Sequence, residues 1–424
     1  MPVAGLLACG LTLFAQQMPD MPGHMMAGAM KGALLGGVPM SREGSGTSWL
    51  PDSSPVAAFD LSTGGWGLMI HGSAFVRYTS QDVGDAGSRG DTKFDGPSLV
   101  MFGASRAAGS RGRLMFRTML SLDPVVEGGA GYPLLFQTGE TWRGVPLVDR
   151  QHPHDLFGEL AVAYSRAVGK DAEAFLYLGY PGEPALGPPA YLHRPSAAND
   201  PDAPLGHHWQ DSTHIAFGVA TAGLRLGGVK LDGSIFTGRE PDEERYGFDR
   251  ARLDSWSGRV SWNPGADWSL QVSHGFLRGP EALAPDIDVR RTTASALHNL
   301  ALSNGRNLAS ALIWGWNRGS DCLSTHSFLF ESTFDWGRQA IYARAEVVQK
   351  TGHELGLETL AGEAFWINAW TLGTARDLSP FDALGLGLGG QVTVNAVPAA
   401  LRPVYGRVPI SLSIYLRVHP PGHN

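Results

Sequence analysis

Residues 66–80 have the sequence WGLMIHGSAFVRYTS, in which apolar side chains alternate with polar or small ones. Leu68, Ile70 and Val76 fall on one face of an extended chain, whereas His71 and Arg77 fall on the other. A period of two residues is that of a β-strand whose two faces meet different surroundings. This stretch therefore predicts a strand with an apolar face and a polar face.

The same alternation recurs along the chain and is cleanest at 410–417, ISLSIYLR. We predict about sixteen strands from this pattern, with the usual boundary error of two to four residues. They lie near 66–80, 97–107, 111–122, 156–167, 172–180, 213–225, 228–237, 255–264, 267–277, 290–302, 307–317, 324–335, 338–350, 368–377, 383–395 and 408–418.

The connections between these strands alternate in length. Segments 81–96, 123–155 and 181–212 are long, whereas 108–110 and 168–171 are short. Short periplasmic turns and longer extracellular loops are typical of transmembrane barrels. A closed antiparallel sheet also satisfies every backbone hydrogen bond within hydrocarbon. The sequence thus predicts an all-β fold: a transmembrane antiparallel β-barrel of about sixteen strands, with long extracellular loops and an irregular N-terminal arm.

The composition agrees with such a barrel and excludes other classes. The 424 residues include 56 glycines and only 17 % charged residues. The mean hydropathy is nevertheless close to zero, at -0.09. Beyond the N-terminus there is no apolar run of the length that a membrane-spanning helix needs. A net charge of -7 argues against a nucleic-acid partner.

Four regions are predicted along the chain. Residues 1–15 resemble a signal peptide, because VAGLLACGLTLFA at 3–15 forms an apolar run of suitable length. Residues 16–65 are a Met/Gly/Pro-rich periplasmic arm, 66–418 form the barrel, and 419–424 are a polar tail. Lipidation of Cys9 and a buried apolar segment are the alternatives for the N-terminus. Cys322 would remain alone in the mature chain, so no intramolecular disulfide is expected.

Methionine clusters in the arm suggest binding of a soft metal. Thioether and imidazole groups suit Cu(I), and an exported flexible segment is a plausible place to capture it. A featureless linker is the alternative. The predicted ligands in the arm are Met18, Met21, His24, Met25, Met26 and Met30. A second set of methionines is predicted to face the lumen near His71 and to extend a soft-metal path: Met69, Met101, Met115 and Met119. An apolar lining of the lumen, or contact with a plug, is the alternative for this set.

Histidines close the two longest loops. One loop ends in QHPHD at 151–155, and the other in GHHWQDSTH at 206–214. Both motifs immediately precede a predicted strand at the same rim of the barrel. Their imidazoles, with two carboxylates, are sufficient for a Zn or Cu site. A hydrogen-bonded packing network is the alternative. The predicted ligands are His152, His154, His207, His208 and His214.

Charged residues of both signs fall on the inward phases of the predicted strands. Charges are costly on the lipid face of a barrel and are expected inside it. The mixture of signs predicts paired networks rather than a strongly ion-selective pore. The residues concerned are Arg77, Arg117, Glu159, Lys230, Asp232, Arg259, Glu331, Glu346 and Arg417.

Three segments resemble an uncharacterised family of exported bacterial outer-membrane β-barrel proteins: 40–55, 131–165 and 206–219. The resemblance extends from about Met40 to the end of the chain and implies a location in the outer membrane. The arm at 18–30 is similar in composition to outer-membrane copper-resistance protein B, which supports a copper role. It lacks that protein's long repeat.

These features together predict a porin-like channel or metal-handling accessory in the outer membrane of a Gram-negative bacterium. It would pass or bind a small solute, with copper or another soft metal the most concrete candidate, although no cofactor is required. A structural or partner-binding barrel with a closed lumen is the alternative. The hydrolase, phosphate-binding and metalloprotease motifs are absent, so we predict no enzyme. A membrane lipid hydrolase is the less favoured option. The expected partners are outer-membrane lipid and the solute or metal ion, and no feature specifies an oligomeric state.

Overall fold

The computed structural model describes residues 33–83, 89–378 and 384–421. The predicted signal segment 1–15 lies outside these residues. Twenty strands occur in the order β1 (Ala58–Thr63), β2 (Trp66–Ser80), β3 (Thr92–Asp95), β4 (Ser98–Ala108), β5 (Gly112–Leu120), β6 (Tyr132–Trp142), β7 (Val145–Gln151), β8 (Phe157–Ala167), β9 (Ala172–Gly179), β10 (Val219–Leu226), β11 (Val229–Phe236), β12 (Ser255–Gly265), β13 (Trp268–Leu277), β14 (Val289–Leu302), β15 (Arg306–Gly319), β16 (Ser324–Trp336), β17 (Gln339–Thr351), β18 (Ala364–Asp377), β19 (Gly385–Ala396) and β20 (Ile410–His419).

Helical structure is confined to single turns in the described residues. None of these helices is long and apolar enough to cross a membrane. The α-helical turns are Asp123–Val126, His207–Gln210 and Arg402–Tyr405, and the 3-10 turns are Met40–Arg42, Tyr191–His193, Pro195–Ala197, Ser212–His214, Glu358–Leu360 and Ala399–Leu401.

The strands close into a 16-strand antiparallel barrel. Strand β2 pairs with β4 on one side and with β20 on the other, which joins the two ends of the sheet. Strand β1 pairs with the first half of β2 and β20 with the second half, on the same side, so β1 and β20 together occupy one wall position. On the other side of β2, β4 pairs with the first half and β3 with the second half, so β3 and β4 share another wall position. These two half-strands explain why the barrel has sixteen wall positions. The predicted fold is confirmed.

Three details differ from the sequence-based prediction. The wall begins at Ala58 rather than at 66, because β1 completes the seam next to β20. The strand expected from 213 begins only at Val219, since Ser212–His214 form a helical turn within the lumen. The connection 320–323 is short although it lies at the long-loop end, so the alternation of loop lengths is not complete.

Three segments fill the lumen in layers. We call residues 33–57 the lumenal arm, residues 180–218 the central loop, and β6–β7 with its turn the outer hairpin. All three contact the inner face of the wall. Residues 33–57 of the segment predicted as a periplasmic arm therefore lie inside the barrel, where the inward polar side chains of the wall supply hydrogen bonds to its irregular backbone, whereas Ala58–Thr63 belong to the wall.

The lumenal arm crosses the short-turn end of the barrel. The Ser269 hydroxyl donates to the carbonyl oxygen of Trp49 (3.1 Å), and the Asn299 amide donates to that of Ser53 (2.6 Å). Both wall residues lie close to short turns of the barrel. The carbonyl oxygen of Gly46 accepts a hydrogen bond from Arg117 (2.5 Å). Wall side chains thus replace water around this otherwise irregular backbone.

The central loop crosses the middle of the lumen. The Arg194 guanidinium pairs with Glu331 of β16 (2.6 Å), and the Thr333 hydroxyl donates to the carbonyl oxygen of Ser196 (2.8 Å). Three strands away, on β13, the Ser273 hydroxyl accepts a hydrogen bond from the Gly187 amide (2.8 Å). The outer hairpin lies above this loop, toward the long-loop end, where Thr138 accepts a hydrogen bond from Lys350 (3.0 Å).

Most inward charges of the wall form buried pairs, as the mixture of signs predicted. Arg117 pairs with Glu159 (2.6 Å), and Arg259 pairs with Asp232 (2.9 Å). All four residues are buried. A buried charge is tolerated only when it is paired and hydrogen-bonded. Each of these two pairs joins neighbouring strands of the wall.

The outer surface carries a continuous apolar band. Alternate residues of the wall are exposed there, as on β20, where Ile410, Leu412, Ile414 and Leu416 point outward while Ser411 and Ser413 are buried. An apolar band around a closed barrel is the surface that a bilayer covers.

We expect the variant Leu312→Arg to destabilise the barrel in lipid. Leu312 lies halfway along β15 and its side chain is 57 % exposed on the apolar band. An arginine at the bilayer midplane costs about 2–4 kcal/mol, whereas one near the interface costs about 0–1 kcal/mol. The matched control is Leu302→Arg, at the end of β14 next to a short turn. Urea unfolding in liposomes measures the free energy of unfolding of both variants. An equal decrease in the two variants would contradict the position of the apolar band within the membrane.

Candidate metal centre

The five histidines predicted from the two long loops converge in the lumen. Their rings form a closed circuit, which we call the histidine ring. The distances between successive ring centroids are 5.5 Å for His208–His152, 6.2 Å for His152–His154, 5.2 Å for His154–His214, 5.2 Å for His214–His207 and 5.4 Å for His207–His208. All five side chains are buried. Two loops that are distant in sequence thus build one compact imidazole cluster.

Wall contacts hold the helical turn that carries two of these histidines. The Trp209 indole donates to the Thr325 hydroxyl (2.8 Å), and the Gln210 amide donates to that of Ser327 (2.7 Å). The outer hairpin passes against the ring at Gly139, whose φ is +116°. A side chain at that position would collide with the His208 imidazole, so glycine is required there.

Every histidine of the ring uses its Nδ1 atom for a contact with an oxygen. Four of the partners are carboxylates: Asp123 for His154 (2.7 Å), Glu140 for His152 (3.1 Å), Asp211 for His207 (2.6 Å) and Glu240 for His208 (3.0 Å). His214 contacts the carbonyl oxygen of Asp211 (2.9 Å). A carboxylate or carbonyl at Nδ1 fixes the proton there and leaves the lone pair on Nε2, as is usual for histidines that bind metals.

The Nε2 atoms of the histidine ring have no such partner. Among the residues that the structure describes, the Nε2 atoms of all five histidines are buried without a hydrogen-bond partner. A buried polar atom left unpaired costs about 1–3 kcal/mol, and native proteins contain few of them. Five such atoms lie together here, which makes the histidine ring the candidate site.

Burial favours the neutral form of His152, His207 and His214. Burial lowers the pKa values of His152 and His214 well below the usual range, and neighbouring histidines lower them further. Burial also lowers the pKa of His207, although Asp211 opposes it. His208 is the exception: burial lowers its pKa, but Glu240 more than offsets this and raises it overall. Neutral imidazole is the form that ligates a metal ion.

Two glutamates extend the ring at His208. Ligand atoms of His208, Glu240 and Glu281 lie within 4.8 Å of one another. Burial, followed by repulsion from Glu240, raises the pKa of Glu281 to about 7. These two carboxylates come from the connections 237–254 and 278–288, outside the predicted histidine motifs. They offer negative charge and oxygen ligands beside the imidazoles.

The sequence anticipated the imidazoles better than their partners. Of the two carboxylates expected beside them, Asp211 contacts the ring, but Asp155 instead pairs with Arg245 (3.0 Å). The partners Asp123, Glu140 and Glu240 were missed, because no spacing rule links them to the histidines. Asp123 and Glu140 lie far ahead of the histidines in the β5–β8 connection, and Glu240 lies on another connection. The arm ligands Met18, Met21, His24, Met25, Met26 and Met30 lie outside the described residues, so their copper role stays a prediction.

Comparisons with known proteins bear on the fold alone. No protein-family model matches the chain, and no curated protein matches it. Among solved structures, Salmonella typhi OmpF in complex with daunomycin aligns with a TM-score of 0.53 at 8 % identity, over 85 % of this chain and 100 % of that one. The anion-selective porin from Comamonas acidovorans aligns with a TM-score of 0.48 at 12 % identity, over 84 % and 99 %. The chain therefore has a porin-like barrel fold.

Proposed function

We propose that this chain is an outer-membrane barrel with a filled lumen that binds a transition-metal ion at the histidine ring. The observation that carries this proposal is the set of five buried Nε2 atoms whose rings are oriented through Nδ1. Imidazole ligands suit borderline divalent ions such as Zn²⁺ and Cu²⁺. Glu240 and Glu281 supply negative charge that balances such an ion.

The location follows from the outer apolar band together with the closed sheet. Only a barrel without a free strand edge satisfies its backbone in hydrocarbon. The expected export signal at 1–15 is part of this proposal. The absence of enzymatic activity also stays a prediction, since a metal bound by imidazoles is compatible with binding and with catalysis.

The spacing of the ring limits how metal is held. A zinc ion lies about 2.0–2.1 Å from each imidazole nitrogen. Among the described residues, no three imidazoles of the ring bring their ligand nitrogens within 4.8 Å of one another, so several must turn inward to share one ion. The oxygen partners at Nδ1 limit this rotation, because each contact restrains the orientation of its imidazole.

Metal binding by the purified full-length barrel tests the proposal. We expect the wild-type protein to retain Zn²⁺ or Cu²⁺ after dialysis, measured by plasma mass spectrometry and by chelator competition. His207→Gln should weaken binding by more than the roughly 10–100-fold that loss of an outer-shell partner costs. His353→Gln is the matched control, because His353 lies on the exposed connection 352–363 outside the ring. A wild-type protein without bound metal, or equal affinity in both variants, would refute the proposal.

A further inference from the structure

A second group of ligating side chains lies on the wall next to the central loop. His71 of β2 is opposite Met101 of β4 in the sheet register, and Met101 is opposite Met119 of β5. Residues directly opposite on antiparallel strands have Cβ atoms about 4.5–5.5 Å apart. These three side chains share the inner face of the wall, so they form one continuous row across three strands.

The central loop adds a fourth side chain to this row. The Nε2 atom of His193 lies 3.2 Å from the Sδ atom of Met119, and its ring centroid lies 5.2 Å from that of His71. Met101 and Met119 are 4 % and 1 % exposed. We call His71, Met101, Met119 and His193 the soft cluster.

We propose that the soft cluster is a second metal site, which binds Cu(I) through two thioether sulfurs and two imidazole nitrogens. Thioether ligands select Cu(I) over harder divalent ions. A monovalent ion with four neutral ligands needs no carboxylate at the site. Arg117, the neighbouring cation, pairs with Glu159 (2.6 Å), so its charge is compensated.

The two imidazoles distinguish this site from ordinary packing. Methionine usually fills gaps in an apolar core, and Met101 and Met119 do pack with Leu99. The Sδ atom of Met119 nevertheless contacts His193, whose ring lies against that of His71. Burial and the neighbouring His71 and Arg117 lower the pKa of His193 well below its usual range, which keeps it neutral and able to ligate.

The site differs from the histidine ring in ligand chemistry and shares none of its residues. Its existence does not depend on metal binding at the ring. His214 of the ring is nevertheless close enough to influence the pKa of His193. The two sites thus lie near each other in the lumen and would hold ions of different hardness.

The test uses full-length protein with the five arm methionines replaced by leucine, and with Zn²⁺ added first to occupy the histidine ring. Cu(I) is then titrated anaerobically against bicinchoninate. The double variant Met101→Leu/Met119→Leu should lose one equivalent of tightly bound Cu(I). Exchange of Met for Leu conserves volume and costs less than about 1.5 kcal/mol, so folding should persist.

Met115→Leu is the matched control. Met115 is buried on the same strand, but it packs against a different cluster that contains Ala163 and Phe175. This variant should keep the Cu(I) equivalent, and X-ray absorption should show sulfur ligands in it but not in the double variant. Unchanged Cu(I) binding in the double variant, or equal loss in Met115→Leu, would overturn the proposal. The Zn²⁺ content reports separately on the histidine ring.

Discussion

Deletion of residues 33–56 together with 132–151 and 184–212 should convert a non-conducting barrel into one that carries stepwise ionic current across a planar bilayer. Barrels of 16–18 strands leave an aqueous channel when the interior is not filled. In this chain the lumenal arm, the outer hairpin and the central loop occupy that space. The wall does not need them for its backbone hydrogen bonds, since all sixteen wall positions pair with one another.

The single deletion of 33–56 is the control for this experiment. The central loop still crosses the middle of the lumen in that variant, so we expect little or no current. Circular dichroism must show retained strand content in both deletions. A wild-type protein that already conducts as well as the combined deletion would disprove a closed lumen and would favour the porin-like channel that the sequence suggested.

Asp211→Asn should weaken metal binding at the histidine ring about 10–100-fold, the usual effect of losing an outer-shell carboxylate. One oxygen of Asp211 accepts from His207 Nδ1 (2.6 Å), and the other accepts from Arg194 (2.7 Å). Burial raises the pKa of Asp211, but His207 and Arg194 outweigh it and hold the pKa well below the usual range. The ionised carboxylate thus orients one ligand and neutralises one buried cation.

The same substitution should also destabilise the barrel. Breaking a buried ion pair by removing one partner costs about 3–5 kcal/mol. Asp202→Asn is the matched control, because Asp202 is a buried carboxylate of the same loop that pairs with Arg77 and accepts from Gln391 (2.7 Å). We expect both variants to unfold at lower urea concentrations, but only Asp211→Asn to lose metal affinity. A parallel loss of affinity in Asp202→Asn would show that the ring responds to stability alone.

A filled lumen changes what the porin-like fold implies. A shared barrel does not imply a shared activity, because function depends on the site that the barrel carries. The contacts of Arg194 with Glu331 and of Thr333 with Ser196 tie the central loop to the middle of the wall. The barrel therefore serves as a rigid shell around an interior site.

The wall was predictable because its signal is local. Alternation at 66–80 and 410–417 sets which side chains face lipid, and short turns set the pairing of neighbouring strands. Each wall strand pairs with a neighbour that is adjacent or nearly adjacent in sequence, apart from the seam between β2 and β20. The histidine motifs were also visible, since each is a short cluster in one long loop.

The contents of the lumen were decided only by the tertiary structure. The position of the lumenal arm depends on hydrogen bonds between residues far apart in sequence, such as Ser53 and Asn299. The ring carboxylate Asp123 likewise reaches His154 across 31 residues of the same connection, and Glu240 reaches His208 from a separate one. Irregular backbone has no regular residue period, so the sequence pattern does not predict which residues it contacts. The sequence by itself determined the shell and the types of ligand, whereas folding of the loops into the shell determined the site.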